Sequence, residues 1–329
     1  MKLNHLLACG LAAVMAISMA GCGAASIDGE NSGTSGTSTS SVKTSSVTSA
    51  SGTAATGNGS IGLSISTMNN PFFVTLSEGA EAEAKELGME IVTVDAGDDT
   101  AKQASDIEDL ISKNVSVLIV NPVDSDAVAP SVQDAISAGI KVISVDRVVN
   151  GVDVDCAIAS DNVKGAEMAT QCLVDALGEG AKVAELQGTP GASATIDRGE
   201  GFHNIADDKL DVVASQTANF NRSEGMSVME NILQADSDIQ GVFAHNDEMA
   251  LGAIEAIGDK DIKVVGFDAT DDGIQAVKDG TMLATIAQQP DQMGKTAVDN
   301  AQKLCNGESV DKEIPVDVTL VTKDNVDDF

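Results

Sequence analysis

From residue 60 onward the chain keeps returning to short β-branched runs: "IGLSIS", "EIVTV", "VSVLIV", "KVISV", "KVAEL", "GVFA", "IKVVGF" and "LATIA". Most of the intervals between them carry a helical rhythm. Leu76, Ala80, Ala84 and Leu87 make one apolar stripe, and Ala166, Ala169, Leu173 and Leu177 make another, each at the spacing of an amphipathic helix. Strand and helix in alternation predict an α/β fold, with parallel sheets covered on both faces by helices reached through right-handed crossovers.

In open parallel sheets the ligand crevice lies outside the carboxyl ends of the strands. The residues just past the runs are Asn69 and Asn70, Asn121, Asp146 with Arg147, Asn246, Asp268 and Gln288. Any one of these alone is an ordinary polar loop residue. Their repetition at strand ends predicts one shared polar site, rich in groups that exchange hydrogen bonds with hydroxyls and poor in nucleophiles.

The chain has no Trp, no Tyr and seven Phe, yet places Phe72 beside Phe73 in "NNPFFVTLSEGA". Asn70 suits a helix N-cap and Pro71 the first helical position, so the pair is expected on a first turn that opens onto the crevice. Adjacent Phe residues at such a turn are not expected to face one core together. Two readings stay open: a hydrophobic staple or core anchor, and flat apolar faces for the C–H side of a ligand ring.

The N-terminal end reads differently. "MKLNHLLACGLAAVMAISMAGC" has a Lys, an apolar stretch over 6–19 and small residues before Cys22, the pattern of a signal peptide over residues 1–21. The stretch is shorter than the roughly 20 residues that span a bilayer. Met19, Ala20 and Gly21 before Cys22 resemble the lipobox of bacterial lipoproteins, although Leu is usual where Met19 stands. "LLAC" at Cys9 matches too, with only residues 6–8 as its apolar region. Lipidation of Cys22 is the expectation; ordinary cleavage or a signal anchor is the alternative. Residues 24–59 are almost entirely Ser, Thr, Gly and Ala, which bury too little surface to offset the entropy of ordering. They are expected to form a disordered tether after Cys22, with a reach of roughly 30 to 35 Å.

A formal charge of -32 argues against a nucleic-acid partner, which needs clustered Lys and Arg, and fits a solvated acidic surface. Past Cys22 only Cys156, Cys172 and Cys305 remain, an odd number without metal-ligand spacing. Buried free thiols are expected at Cys156 and Cys172. Neither a metal nor a cofactor is expected.

From about residue 60 to 321 the chain resembles the type I periplasmic sugar-binding proteins that serve ABC importers, and within them the ribose-binding branch. The resemblance is carried by "STMNNPFF", "NPVDSDAV", "SVDR", "IASDNV", "GEGAKVAELQG", "DRGEGF", "VFAHNDEMALGA", "VVGFDAT" and "ATIAQQPDQMG". It implies two doubly wound parallel-sheet lobes joined by a three-crossover hinge, one of residues 60–160 with 289–317 and the other of 161–288 with 318–329. It further implies that Phe72 and Phe73 stack on a sugar ring, with Phe220 of "ANFNR" closing from the other lobe. Asn70, Asp146, Arg147, Arg198, Asn246, Asp268 and Gln288 take the hydrogen-bonding positions, and Asn121 matches as well. The implied ligand is D-ribose, captured by hinge closure and delivered to an ABC transporter permease. Another monosaccharide, such as allose or galactose, or a chemoreceptor as recipient, is the alternative. The protein is expected to be a monomer, held outside the cytoplasm on the cell membrane by its lipid anchor alone. The chain departs from the family at Ile196, where Arg is usual, and at His245, where Gln is usual; neither is an implied contact.

Other readings are weaker. Asp146 and Asp268 could be a glycosidase pair, but Arg and Asn neighbours are expected to hold both ionised, whereas a general acid needs a raised pKa. His203 and His245 lack a Ser or Cys constellation, so no enzyme is expected. "GNGSIG" precedes the first strand instead of following it, and "GKT" at 294–296 has Gln289 where a phosphate loop has its first Gly. A repressor's inducer domain would carry a basic DNA-binding helix pair where this chain has its leader and tether.

Overall fold

The computed structural model describes residues 59–329; the expected leader, Cys22 and all of the tether but Gly59 lie outside the described residues. The first strands and helices alternate as β1 (Ser60–Ile65), α1 (Pro71–Leu87), β2 (Glu90–Asp95), α2 (Thr100–Ser112), β3 (Val117–Val120), α3 (Ala129–Ser137), β4 (Lys141–Val145) and β5 (Cys156–Ser160). A second series follows: α4 (Asn162–Leu177), β6 (Lys182–Gln187), α5 (Ser193–Lys209), β7 (Asp211–Thr217), α6 (Arg222–Ala235), β8 (Gly241–Ala244), α7 (Asp247–Ile257), β9 (Lys263–Val265), α8 (Asp271–Asp279) and β10 (Ala284–Ala287). α9 (Pro290–Cys305), β11 (Glu313–Val316) and β12 (Thr319–Thr322) complete it.

These strands form two sheets, ordered β11-β5-β4-β3-β1-β2 and β12-β10-β9-β8-β6-β7. Each is the centre of an α/β lobe. The first sheet is parallel throughout; the second is parallel except for β12, which runs antiparallel to β10. The reversed edge strand departs from a purely parallel expectation. β11 ends one sheet and β12 begins the other with only residues 317 and 318 between them, too few for the crossover a parallel pair would need. The chain also passes from the first sheet at Ser160 to α4 on the second, and returns after Ala287 to α9, which packs on α1.

The sequence runs did not include β5, β7, β11 or β12. β7 is largely exposed and polar, and β11 carries Pro315, a residue that edge strands tolerate. β5 is built from small residues. Such strands lack the burial of the sheet centres, and their sequence signal is correspondingly weaker.

Local chemistry sets the helix that faces the crevice. Asn70 Oδ1 accepts from the Phe72 N–H at 3.0 Å, and Pro71 takes the first turn without an orphan donor. Gly88, at φ 66°, ends the helix by donating to the carbonyls of Ala84 and Lys85. Leu76, Ala80 and Ala84 are fully buried in the first lobe's core, and Ala166, Ala169 and Leu173 in the second. Cys156 is buried, and burial pushes its thiol up to about 11; Cys172 is only half-buried and Cys305 is exposed, so the expectation of a buried thiol fails at Cys172. Cys172 lies on the outer side of α4, beside a surface groove between that helix and β12.

Close helix packing depends on missing side chains. A Cβ on Gly294 of α9 would overlap the Leu76 carbonyl of α1, and one on Gly252 of α7 would overlap the Arg222 carbonyl where α6 begins. Gly199 on α5 differs, since its nearest atoms would be 3.7 Å away. Gly294→Ala should therefore cost about 1–3 kcal/mol of stability by overpacking. Gly199→Ala should be neutral or gain up to about 1 kcal/mol through helix propensity. Denaturant midpoints of the two variants check this, and equal effects would refute it.

Candidate functional site

The carboxyl ends of both sheets line one narrow, partly open cavity. Every residue assigned above to ligand contact lines it except Asn121, and Ala194 joins them. Nothing in the sequence marked Ala194, whose small side chain at the start of α5 leaves room without offering a polar group.

The first lobe contributes through β1, α1 and β4. The Asn70 carbonyl oxygen is committed to the helix cap, so its amide NH₂ is the group left for the cavity. Asp146 leaves β4 with φ 65° and is 3% exposed. Its Oδ2 accepts from Asn121 Nδ2 at 3.2 Å, while Asn121 Oδ1 accepts from the Ser66 N–H at 3.2 Å. Asn121 thus sits behind Asp146, which it holds, and does not line the cavity. Arg147 Nη1 donates to the Pro122 carbonyl at 2.8 Å, and its Nε, 3.7 Å from Asp146 Oδ2, has no hydrogen-bond partner. The Arg147 guanidinium lies 5.1 Å from the Phe73 ring centroid and 5.4 Å from that of Phe220, a cation between two aromatic faces.

The second lobe answers with Arg198 on α5. Its Nε donates to Asn162 Oδ1 at 2.9 Å and its Nη1 to the His245 carbonyl at 2.5 Å. Nη1 lies 3.6 Å from Asp268 Oδ1, and the guanidinium rests 3.7 Å above the Phe267 ring. Asp268 Oδ1 accepts from Gln288 Nε2 at 2.6 Å, and Gln288 Oε1 accepts from Ser160 Oγ at 2.8 Å, so the crossing strands β5 and β10 are tied to the site. Asn246 caps α7 with Oδ1 and donates from Nδ2 to the Phe220 carbonyl at 3.2 Å.

Phe72 and Phe73 belong to the first lobe's hydrophobic cluster and also line the cavity, at 4% and 3% exposure. The expectation that neighbours on this turn cannot share a core fails. Their rings meet edge to face, centroids 5.2 Å apart at 89°, at the rim where core and cavity join. Away from the cavity the lobes touch through the Ser125 N–H donating to the Gly191 carbonyl at 2.9 Å. The Ser193 N–H donates to Ser125 Oγ at 3.2 Å, and the Val148 N–H to Ser193 Oγ at 3.1 Å.

Burial pushes both carboxyls up. Asp146 is raised even though Arg147, Arg198 and the Asn121 amide pull it down. Asp268 is raised well above the carboxylate range by burial, against Arg198 and with Asp247 and Asp146 adding repulsion. The shifts run against the Arg and Asn neighbours that were expected to hold both carboxyls ionised, because desolvation outweighs the pairing. Burial also lowers Arg147 and Arg198, opposed first by Asp146 and Asp268 respectively. His203 pairs with Asp207 at 2.7 Å and His245 with Glu185 at 2.9 Å, and neither lines the cavity. Among the described residues no group of three or more His, Cys, Asp or Glu is placed to hold a metal ion.

Residues 61–309 match the sequence model of the periplasmic binding protein domain. The chain belongs to the periplasmic binding protein family. It is 53% identical over 266 residues to the ribose import binding protein of Bacillus subtilis (strain 168), covering 80% of this chain and 87% of that one. The binding protein's fold matches an ABC transporter solute-binding protein from Bacillus halodurans C-125 with bound myo-inositol. That match has TM-score 0.80 and 35% identity, over 84% of this chain and 98% of the other. A periplasmic solute-binding protein from Actinobacillus succinogenes 130z with bound D-allose matches with TM-score 0.77 and 31% identity, over 82% and 100% of the two chains.

The raised Asp268 has a consequence for the ligand-free binding protein. A carboxyl whose folded-state pKa exceeds its unfolded value of about 3.9 is destabilising when ionised, and that cost disappears as pH falls through the folded value. Asp268→Asn should therefore raise the ligand-free denaturant midpoint at pH 7, with the gain shrinking toward pH 4 as the wild-type carboxyl takes its proton. A variant less stable than wild type at pH 7, or a gain that grows with acid, would show that the Arg198 pairing outweighs burial.

Proposed function

We propose that this protein captures D-ribose between its lobes by hinge closure and delivers it, chemically unchanged, to the permease of an ABC importer. The observation that carries the reading is one cavity lined from both lobes by aromatic rings and by an Asp–Arg pair from each side. The identity to the Bacillus subtilis ribose import binding protein supports the choice of sugar.

Hydroxyl groups of the sugar donate to Asp146 and Asp268, which in their ionised form are acceptor-only groups. The guanidiniums of Arg147 and Arg198 and the amides of Asn70, Asn246 and Gln288 complete the set. Phe72, Phe73 and Phe220 cover the C–H faces. Because each lobe holds half of these groups, the ligand satisfies all of them only when the lobes close, the motion known for periplasmic binding proteins. The Ser125, Gly191 and Ser193 contacts add stability to that closed state without touching the cavity. No nucleophile with an adjacent base faces the ligand, which supports binding without chemistry.

A thermal or chemical unfolding series with a panel of monosaccharides tests the sugar. Ribose at 100 times its dissociation constant should add about 2.7 kcal/mol to stability. Recovered sugar should be unaltered by mass and chromatography. A clear shift with allose or galactose and none with ribose would move the assignment to that sugar, and an altered product would make the protein an enzyme.

The same reading includes a diacylated Cys22 that holds the domain on the outer face of the cell membrane through the 22–59 tether. Each buried methylene adds about 0.8 kcal/mol, so two acyl chains anchor stably where one is marginal. Cys22→Ala should appear in the medium or remain as uncleaved precursor. Fractionation of a cleaved Cys22→Ala protein with the membrane would overturn the anchor.

A further inference from the structure

Behind the cavity of the second lobe lies a buried ionisable pair that contacts no ligand-facing space. Glu185, on β6, and His245, one residue beyond β8, are both fully buried. His245 Nε2 is 2.9 Å from Glu185 Oε1, and the Gly188 N–H donates to His245 Nδ1 at 3.4 Å. A ring nitrogen that accepts from a backbone N–H carries no proton, so the proton sits on Nε2 and is donated to Glu185. The imidazole is neutral in a single tautomer.

Both ends of His245 reach toward the cavity. Its carbonyl accepts from Arg198 Nη1. Its ring holds the Gly188 peptide, and that peptide is the floor under Phe220, since a Cβ on Gly188 would overlap the Phe220 ring. One side chain thus fixes the support of an aromatic lid, and its own backbone fixes a guanidinium.

We infer that Glu185 and His245 are a positioning pair for the ligand cavity, in which the neutral His245 ring holds Gly188 beneath Phe220 while the His245 backbone carbonyl steadies Arg198. This rests on the reading of the cavity as a sugar site. The groups facing the ring are Glu185 from β6 and Arg198 and His203 from α5. His203 Nε2 is 3.5 Å from Glu185 Oε2, which also accepts from Gln187 Nε2 at 2.9 Å. Burial lowers His245, against the hydrogen bond and charge of Glu185. Burial pulls Glu185 up, but the hydrogen bond it shares with His245, with further lowering from Ser215 and His203, leaves the carboxyl below its ordinary value. A histidine whose folded value is depressed contributes stability above its unfolded value of about 6.5 and loses it as pH falls below that. Protonation places a hydrogen on Nδ1 and expels the Gly188 N–H.

The test compares His245→Ala and His245→Gln with wild type by D-ribose calorimetry at pH 7.5 and 5.5. The pH comparison is repeated in a His203→Gln background, so that Glu185 faces one histidine. Exchange of the Gly188 amide is followed without sugar. His245→Ala should lose about 5- to 150-fold in affinity at pH 7.5. His245→Gln, with a polar side chain that does not titrate, should stay within about threefold of wild type and lack the extra acid-dependent loss. The Gly188 amide should exchange faster in His245→Ala than in wild type. Wild-type affinity in a His245→Ala protein that merely unfolds earlier, or identical pH profiles for wild type and His245→Gln, would overturn the inference. If His245→Ala does not fold, the pH comparison with His245→Gln decides. If wild type binds no ribose, the functional reading fails, and Gly188 exchange in the ligand-free variants still judges the pair.

Discussion

Four buried charges govern this molecule. Asp146, Arg147, Arg198 and Asp268 are each at most 6% exposed, and burial works against the charged form of every one of them. The pairing is arranged lobe by lobe, Asp146 with Arg147 and Arg198 with Asp268. Each lobe therefore brings one acidic and one basic group to its face. Across the cleft the pairs still sense each other, since Arg198 pulls on Asp146 and Asp268 on Arg147. A neutral, hydroxyl-rich ligand suits this setting, because it supplies hydrogen bonds without adding net charge to a region already balanced.

Much of the surrounding structure serves those charges. Asn121 is spent on Asp146, Asn162 and the His245 carbonyl on Arg198, and Ser160 and Gln288 on Asp268. The backbone participates as well: Asp146, Phe220 and Asp268 all take positive φ, at 65°, 57° and 122°, though none is glycine. Side chains in that region carry strain of the order of 1–3 kcal/mol each. Its concentration at three cavity-lining residues marks a site where geometry has been favoured over relaxed backbone.

The alternation of strands and helices was legible because the sheet centres are short buried apolar runs, most of them β-branched, and the helices between them carry apolar stripes. The polar strand ends were legible for a topological reason, as parallel strands deliver their carboxyl ends to one edge. Less was readable where the signal is weak or depends on partners. β7 is a largely exposed edge strand, β11 a four-residue edge strand interrupted by Pro315, and β5 is made mostly of small residues. Asn121 follows the same strand-end rule as Asp146, yet only its hydrogen bonds show that it faces a carboxylate rather than the cavity. The direction of the carboxyl shifts depends on the balance of desolvation against pairing, which residue types alone do not settle. Phe72 and Phe73 serve core and cavity together, so a choice between the two readings had no single answer.

The short connections between the sheets carry a mechanical implication. The chain passes between the two sheets three times, with a single residue between β5 and α4 and two residues at each of the other passages. Lobes joined by one long linker would sample many relative orientations and forfeit that freedom on closing. Three short parallel straps leave little besides rotation about a common axis, as in a door on three hinge plates. The Ser160 to Gln288 hydrogen bond couples two of those straps directly to Asp268. Orientational entropy is thus largely removed when the chain folds, before any ligand arrives, and the energy of ligand contact is left to discriminate among sugars.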